Sequence, residues 1–414
     1  MTGRDREKAE SPASDARDSR VKARKASAEA VSKIFRVGIT GSYGGLNLGD
    51  EAILHSMVSQ LRSSLSVEIV VFSRNPEDTL SRHGVERALP VRKLSRDEVL
   101  PEIERLDLLI MGGGGILYDP EAKIYLREVA LAQDRGIPVM VYAVSAGPLD
   151  DPSTHEQVRQ SLNHAAVVTV RERGARHLLE EIGVEREILV TADPALLLQP
   201  ESLPADALKK EGLDDRRRLV GFSVREPGRA APDISEDVYH ALLANAADFM
   251  VDRLDADIVF VPMERQVLDV QHCHAVASQM QCAQRATVLK GEYTSGQLLS
   301  LVGHFEFAVG MRLHFLIFSA LAGIPFVALP YAPKVTGFLE DLDIEMPPLQ
   351  EVNAGRLIAH IDRSWDVRES LKRRVGRILP ELQERARENH RLAVRLLTSL
   401  SPASRSPNRS TARM

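Results

Sequence analysis

An arginine and a histidine two residues apart are the clearest chemical signal in the sequence. Arg312 and His314 follow the apolar run Phe305–Val309 and begin an apolar segment of helical period. Polar side chains isolated in this way need partners, and an anion at the N-terminus of a helix would satisfy both. A lone histidine there is commonly a hydrogen-bonded core residue, but Lys334 follows the next apolar run and adds a third such group. Because histidine exchanges protons near neutral pH, we expect His314 to be a general acid or base.

Two glycine-rich segments follow apolar runs. In Gly41–Gly49 the glycines would let backbone N–H groups approach a phosphate or carboxylate, and we expect Gly45 and Asn47 to take part in binding. Asp50 either lines the same cleft or caps the helix that begins there. The four successive glycines of Gly112–Gly115 cost backbone entropy and indicate that a ligand approaches the chain closely. The spacing does not match the dinucleotide-binding fingerprint, so a nicotinamide or flavin site is not favoured.

Two further arginines end predicted strands. Arg171 follows the run Ala166–Val170, and Arg225 follows Leu219–Val224. A cation at the carboxyl end of a parallel strand lies on the rim where ligands bind, and the guanidinium group matches phosphate or carboxylate geometry. An ordinary salt bridge at the rim explains both arginines equally well. Asp193 also follows a predicted strand. It could belong to the same ligand-binding rim, and it could equally be a turn residue.

Composition and missing motifs exclude several classes of function. The 53 basic and 58 acidic residues give a net charge of −5, so no broad positive field would attract nucleic acid. His272, Cys273, His274 and Cys282 do not have zinc-ligand spacing, and we expect no metal and no cofactor. Two cysteines in 414 residues suit a reducing compartment. Without a secretory signal or an apolar span of about 20 residues, the sequence predicts a cytoplasmic protein.

Strand-length apolar runs alternate with segments of helical period from Ile34 onward, which is typical of βαβ units. The runs are almost continuously apolar, as expected for strands buried on both faces of a mostly parallel sheet. The alternation occurs twice. The sequence therefore predicts an α/β fold with two Rossmann-like, doubly wound domains that face a cleft. The predicted strands are Phe35–Thr40, Val67–Phe72, Leu106–Met111, Pro138–Tyr142, Ala166–Val170, Glu187–Thr191, Leu219–Val224, Ile258–Val261, Thr287–Leu289, Phe305–Val309 and Pro325–Leu329.

Changes in composition suggest the domain boundaries. The charged, apolar-poor start is typical of a disordered leader, and a proline-containing charged segment without period separates the two α/β units. The predicted divisions are a leader at 1–33, an N-terminal domain at 34–200, a linker at 201–217, a C-terminal domain at 218–346, a helical segment at 347–400 and a disordered tail at 401–414.

The helical segment is basic, with nine Lys or Arg and four Glu between Arg368 and Arg395. One face repeats apolar residues at three- to four-residue spacing, and Pro380 should break or kink the helix. One interpretation is a closing helix that packs across both domains. The alternative is a face that contacts anionic lipid, which would place the protein at the periphery of the inner membrane face.

Three motifs together resemble the polysaccharide pyruvyl transferase family. They are Gly41-Ser42-Tyr43-Gly44-Gly45-Leu46-Asn47-Leu48-Gly49-Asp50-Glu51-Ala52-Ile53-Leu54, the run Gly112–Gly115, and Gly310-Met311-Arg312-Leu313-His314 followed by Pro330-Tyr331-Ala332-Pro333-Lys334. The resemblance implies two Rossmann-like halves of glycosyltransferase-B type. It also implies transfer of a pyruvyl group from phosphoenolpyruvate to two hydroxyls of a sugar, with formation of a ketal and release of phosphate.

The resemblance assigns roles to the candidate residues. His314 would be the proton donor, and the catalytic Arg312 beside it would hold the phosphate or carboxylate of the donor together with Lys334. The residues expected to bind the donor are Lys334, Arg171, Tyr43, Gly45 and Asn47. The residues expected to bind the acceptor or line the cleft are Gly113, Gly114, Gly115, Arg225, Tyr331 and Asp50. The implied acceptor is a cell-surface glycan or its lipid-linked precursor.

Two other functions are compatible with the sequence. One is a nucleotide-sugar-dependent glycosyltransferase of the same architecture, which would respond to UDP-sugars rather than to phosphoenolpyruvate. The other is a non-catalytic protein of glycan binding or assembly that has kept the fold. Such a protein would not need His314 for its biological output.

Overall fold

Two parallel β-sheets form the framework of the chain, which the computed structural model describes over residues 33–119, 121–226, 234–264, 268–347 and 349–399. The strands are β1 Phe35–Thr40, β2 Val67–Ser73, β3 Arg87–Pro90, β4 Leu108–Leu117, β5 Val139–Ala146, β6 Val167–Val170, β7 Ile188–Val190, β8 Arg218–Ser223, β9 Ala256–Phe260, β10 Ala286–Val288, β11 Phe307–Gly310 and β12 Phe326–Ala328. The first sheet has the order β3-β2-β1-β4-β5-β6-β7 and the second β10-β9-β8-β11-β12. In each sheet the first strand is internal and the chain winds outward on both sides, which is the doubly wound pattern. The predicted leader, apart from Lys33, and the predicted tail lie outside the described residues.

Helices follow most strands and cover the sheets. They are α1 Leu48–Ser64, α2 Pro76–His83, α3 Arg96–Ile103, α4 Ala122–Asp134, α5 Pro152–Asn163, α6 Arg173–Glu181, α7 Ala207–Glu211, α8 Glu236–Leu254, α9 Leu268–Gln279, α10 Ser295–Val302, α11 Leu313–Leu321, α12 Pro333–Asp341, α13 Ala354–Asp366 and α14 Arg368–Ser399. The residues between Phe315 and Phe318 at the centre of α11 are fully buried. No helix in the described ranges is both long and apolar enough to cross a membrane.

Three elements differ from the sequence-based expectations. β4 does not end at Met111 but continues through Gly112–Gly115 to Leu117, because the glycines pair with β5 as strand residues. β3 was not predicted, since it is a four-residue edge strand with little apolar sequence. The predicted linker contains α7, a short helix that ends at Gly212 in the left-handed conformation.

The first turn of α1 joins the two sheets. The backbone N–H of Leu48 donates to the carbonyl of Met263, at 2.9 Å, and Asn47 forms an antiparallel bridge with Glu264. The hydroxyl of Ser295 donates to the carbonyl of Leu48, at 2.7 Å. A buried apolar cluster continues from α1 into α11, so the domains share part of their core. The glycine-rich segment before α1 is thereby fixed against the second domain.

The long helix α14 packs across both domains. Asn389 is fully buried and accepts hydrogen bonds from the hydroxyls of Thr169 and Thr191, at 2.6 and 2.9 Å. Arg385 forms an ion pair with Asp341 of α12, at 3.0 Å. These contacts favour the interpretation of a closing helix, while contact with lipid stays a prediction.

The expected break at Pro380 is wrong, since α14 is continuous from Arg368 to Ser399. Buried side chains on both sides of the proline, Val375 and Leu382, belong to the same apolar cluster. We attribute the continuity to this packing, which stabilises the helix on both sides of the proline.

Candidate functional site

A cavity of about 370 Å³ lies at the carboxyl ends of the strands, between the two sheets. We call it the cleft cavity. Its polar lining side chains come from the loops that follow six or more different strands, as expected for doubly wound folds. The lining residues are Ser42, Gly45, Asn47, Asp50, Arg74, Gly115, Tyr118, Ser145, Ala146, Gly147, Pro148, Arg171, Arg225, Met263, Glu264, Arg312, Leu313, His314, Tyr331, Ala332, Pro333 and Lys334.

Most of the residues selected from the sequence meet in this one cavity. Those that line it are His314, Arg312, Lys334, Arg171, Gly45, Asn47, Gly115, Arg225, Tyr331 and Asp50. Tyr43, Gly113 and Gly114 lie behind the wall instead. Elements from both domains are therefore required to complete the lining.

Packing explains the position of the three residues behind the wall. Tyr43 is fully buried and its hydroxyl donates to the carbonyl of Gly112; burial raises the pKa of this phenol well above its ordinary value. A β-carbon on Gly113 would overlap the side chain of Ile53. A β-carbon on Gly114 would lie 3.1 Å from Asp50 Oδ1. The glycine run therefore lets α1 and Tyr43 pack directly on β4, rather than making room for a ligand along its whole length.

His314 is held between a glycine and a carboxylate. Its ring packs directly on Gly49, where a β-carbon would overlap Nδ1. Its Nε2 lies 3.5 Å from Asp193 Oδ2, and this buried nitrogen has no hydrogen-bond partner among the described residues. The imidazole thus has a fixed position and a nearby negative charge, with one nitrogen unsatisfied. These are suitable conditions for a proton donor.

Asp193 connects His314 to Arg171. Its Oδ2 accepts a hydrogen bond from Arg171 Nη1 at 2.7 Å, and its Oδ1 accepts one from the backbone N–H of Ala195. Burial alone would raise the pKa of Asp193, but Arg171 and His314 outweigh it and hold the pKa below its ordinary range. Asp193 therefore carries a negative charge beside the imidazole.

Arg171 is almost fully buried and its charge is compensated by two carboxylates. Besides Asp193, it contacts Glu172 at 3.2 Å. Glu172 accepts a short hydrogen bond from Ser145, and burial raises the pKa of this carboxyl. The position of Arg171 at the cavity is thus set by the residues behind it.

Arg312 is held in place by hydrogen bonds to two carboxylates. Its Nε donates to Asp269 Oδ2 at 2.8 Å, and its Nη2 contacts Glu264 at 3.1 Å. Asp269 is fully buried and also accepts hydrogen bonds from the backbone N–H groups of Met263 and Glu264. Burial would lower the pKa of Arg312, but Asp269 more than reverses this effect. Arg312 therefore fixes the loop after β9, which bridges to Asn47.

Tyr331 lies among cations. Its hydroxyl accepts a hydrogen bond from Arg225 Nη1 at 3.1 Å, and Lys334 Nζ lies 5.6 Å from the ring centroid. Burial would raise the pKa of this phenol, but Lys334, Arg225 and Arg312 lower it to about 7. Arg225 also forms an ion pair with Glu226. Tyr331 can therefore exchange a proton near neutral pH.

Asp50 is an acidic group of the cavity wall that interacts electrostatically with His314 and Lys334. Withdrawal from water raises the pKa of its carboxyl, although His314 and Lys334 act in the opposite direction. Glu51, the next residue, points away from the cavity and accepts a hydrogen bond from the backbone N–H of Gly44 at 2.8 Å. Asp50 therefore lines the cavity, whereas Glu51 holds the glycine-rich loop and the side chain of Asn47 caps α1.

Arg74 lines the cavity but was not selected from the sequence. It follows β2 directly, and its Nη2 donates to Ser42 Oγ at 3.0 Å and Tyr125 Oη at 2.7 Å. The rule applied to Arg171 and Arg225, a cation at the end of a parallel strand, would have found it. Asp269 and Glu264 were missed as well, and they carry no local signal of this kind.

Metal binding has no structural support in the described part of the chain, where no three His, Cys, Asp or Glu side chains are grouped to hold an ion. Cys273 is buried and its burial raises the pKa of the thiol. His272 instead contacts His240, with 2.8 Å between Nδ1 and Nε2.

Solved structures share this fold at low sequence identity. A putative UDP-N-acetylglucosamine 2-epimerase from Listeria monocytogenes matches with a TM-score of 0.62 and 11% identity, over 89% of this chain and 96% of that chain. A glycosyltransferase from Rickettsia africae matches with a TM-score of 0.60 and 11% identity, over 90% of this chain and all of that chain. These matches confirm the predicted fold class, two Rossmann-like domains of glycosyltransferase-B type.

The family follows from the sequence itself. Residues 47–333, more than half of the chain, match the polysaccharide pyruvyl transferase family, and the chain belongs to that family. The amylovoran biosynthesis protein AmsJ from Erwinia amylovora is 21% identical over 302 residues, which are 68% of this chain and 70% of AmsJ. The predicted resemblance is thus confirmed, and it assigns the chain to the transferases of polysaccharide biosynthesis.

Proposed function

We propose that the chain transfers a pyruvyl group from phosphoenolpyruvate to two hydroxyls of one sugar, in a cell-surface polysaccharide or its lipid-linked precursor. The products are a pyruvate ketal and free phosphate. The observation that carries this proposal is the position of His314, whose unsatisfied Nε2 lies beside Asp193 in a cavity lined by cations. Family membership supports the same reaction class.

The donor is an enol phosphate that also carries a carboxylate, so it needs an acid at the methylene carbon and cations at both anionic groups. His314 as an imidazolium would donate its proton to the methylene carbon, which leaves positive charge on the neighbouring carbon. Asp193 would stabilise the imidazolium before transfer. The first sugar hydroxyl then adds to the cationic carbon.

Phosphate departure and ring closure complete the reaction. The carbon–oxygen bond to phosphate breaks as the second hydroxyl closes the ring. Of the two hydroxyl protons released, one returns to His314 and the other protonates the departing phosphate. The overall reaction thus needs no oxidant and no activated water.

The cations of the cavity and the N-termini of two helices would stabilise the anionic groups of the donor. Arg312 is the last residue before α11, and Ala332 is the last before α12; neither helix has a side-chain cap. Their N-terminal N–H groups and partial positive charge would stabilise an anion beside Leu313 or Pro333. Lys334, which forms no ion pair within the described residues, would bind the donor directly. Charge of this kind is most effective where water is excluded.

Ligand-dependent thermal stability tests the donor without requiring an acceptor. A ligand present at about 100 times its Kd stabilises the folded chain by about 2.7 kcal/mol. We expect phosphoenolpyruvate to raise the Tm of the wild type, with UDP and UDP-N-acetylglucosamine as parallel samples. Lys334→Met should lose this response, whereas Lys93→Met, an exposed lysine away from the cavity, should keep it.

The outcomes separate the three functions considered. A response to UDP-sugars alone would replace the proposal with a nucleotide-sugar glycosyltransferase. No response to any of these ligands, together with normal glycan output from His314→Ala cells, would indicate the non-catalytic role.

A further inference from the structure

The cations of the cleft cavity fall into two electrostatic groups. Arg171 and Arg312 each contact two carboxylates, and Arg225 contacts one. Lys334 and Arg74 form no ion pair with any carboxylate among the described residues. The charges of the first group are already balanced by the protein. Only the second group has charge available for an anionic ligand.

The direct hydrogen bonds of Arg74 within the described residues are all to neutral groups. Its Nη2 donates to the hydroxyl oxygens of Ser42 and Tyr125, at 3.0 and 2.7 Å. Two hydroxyls orient a guanidinium without neutralising it. Its Nε is buried and has no hydrogen-bond partner within the described ranges. An unsatisfied buried donor on a cation is costly, so the site favours a ligand that accepts this hydrogen bond.

The guanidinium also packs on the glycine-rich loop before α1. A β-carbon on Gly45 would be 3.1 Å from Arg74 Nη1, so glycine lets the guanidinium approach the main chain where both residues line the cavity. Glycine at this place is not explained by a positive φ, because Gly45 does not have one. Space beside Arg74 is therefore the structural reason for Gly45.

We propose that Arg74 binds the phosphate group of the donor. The assignment rests on the proposed function, which supplies a donor with one phosphate and one carboxylate. A phosphate presents three acceptor oxygens, and it can accept hydrogen bonds from Nη1 and Nε of Arg74, which have no hydrogen-bond partner among the described residues. Lys334, which also lines the cavity, carries a single ammonium group suited to the smaller carboxylate. Arg74 and Lys334 would then hold the two ends of the donor across Asp50, which interacts electrostatically with both.

A second source could supply the same chemistry. The diphosphate of a lipid-linked acceptor also carries phosphate oxygens, and it would reach the cavity from outside. The experiment must therefore separate a donor phosphate from an acceptor diphosphate.

Titration calorimetry with four ligands separates these cases. The ligands are phosphoenolpyruvate, inorganic phosphate, pyruvate and pyrophosphate, and the proteins are the wild type, Arg74→Gln and Arg74→Lys. Arg92→Gln is the matched control, since Arg92 is an exposed arginine in an ion pair outside the cavity. Loss of a hydrogen bond to a charged group corresponds to a change of about ten- to a hundredfold in affinity.

We expect Arg74→Gln to weaken phosphoenolpyruvate and inorganic phosphate by the same factor and to leave pyruvate unchanged. Arg74→Lys, which keeps the charge and is the variant less able to disturb folding, should show a smaller loss for the same two ligands. Arg92→Gln should match the wild type throughout.

Three results would overturn the assignment. They are unchanged affinity for phosphoenolpyruvate, a loss confined to pyruvate, or a loss confined to pyrophosphate. A different result would refute the proposed function alone. If the wild type bound inorganic phosphate through Arg74 but did not bind phosphoenolpyruvate, Arg74 would still form a phosphate site, but phosphoenolpyruvate would not be the donor. A wild type that binds none of the four ligands would overturn both.

Discussion

Arg312 and His314 come from one sequence motif, yet the protein treats them differently. Arg312 is bound on several sides by Asp269 and Glu264, and Asp269 is itself held by backbone N–H groups. His314 has one carboxylate at 3.5 Å and a buried nitrogen without a hydrogen-bond partner in the described structure. Arg312 therefore fixes the geometry of the cavity, whereas His314 has a ring nitrogen that is available for proton transfer.

Breaking the Arg312 contacts should therefore cost stability most. Asp269→Asn keeps the shape of the side chain but leaves Arg312 buried beside a neutral amide. Removing one partner of a buried ion pair typically costs about 3–5 kcal/mol. We expect a loss of about this size in the free energy of unfolding, measured by urea denaturation.

Glu264→Gln is the matched control for Asp269→Asn. The Glu264 side chain is 34% exposed, whereas that of Asp269 is fully buried. Exposed ion pairs contribute roughly 0–1 kcal/mol, so this variant should be nearly as stable as the wild type. Equal losses for the two variants would contradict the structural role assigned to Asp269.

Displacing His314 should instead cost activity. Gly49 has no positive φ, so alanine suits its backbone, but the new β-carbon would overlap the imidazole. A shift of about 1 Å in a reacting group can cost roughly a hundredfold in rate. We expect Gly49→Ala to lower kcat for phosphate release by about that factor.

Gly174→Ala serves as the control for this displacement, because a β-carbon there meets no atom within 4 Å. It should keep the wild-type rate. If Gly49→Ala also kept full activity, the reaction rate would not depend on the present position of His314.

At neutral pH the ionisation of Tyr331 should have the smallest effect on stability. Its folded-state pKa of about 7 lies below the ordinary value of 10, so its stabilising contribution is complete above pH 10 and is lost as the pH falls through 7. Between these values the wild type should gain at most about 1.4 kcal/mol per pH unit over Tyr331→Phe. The tyrosinate absorbance of the wild type should contain a transition near pH 7 that the variant lacks; a pH-independent difference spectrum would refute this prediction.

The sequence was most informative where function depends on the position of a residue along a strand. Arg171, Arg225, Lys334 and His314 follow strands of two parallel sheets, so their meeting at one edge is a consequence of topology. The same reasoning applies to Arg74 and was not extended to it. The glycine run was interpreted less well, because glycines that admit a ligand and glycines that admit Tyr43 and Ile53 look alike in a sequence.

The balancing carboxylates could not be predicted. Asp269 precedes Arg312 by 43 residues and lies in α9, where an acidic residue in the first turn usually stabilises the helix. Only tertiary structure shows that it faces a buried arginine. The distinction between balanced and available cations therefore depends on the fold.

The most direct test of the central claim is pyruvyl transfer by His314→Gln in D₂O, with phosphoenolpyruvate binding measured on the same sample. We expect the wild type to incorporate one solvent deuterium into the pyruvyl methyl group. We also expect the variant to bind phosphoenolpyruvate still but to transfer about 10²–10⁴-fold more slowly, the usual contribution of a general acid. Transfer at the wild-type rate by His314→Gln would contradict the assignment of His314 as proton donor.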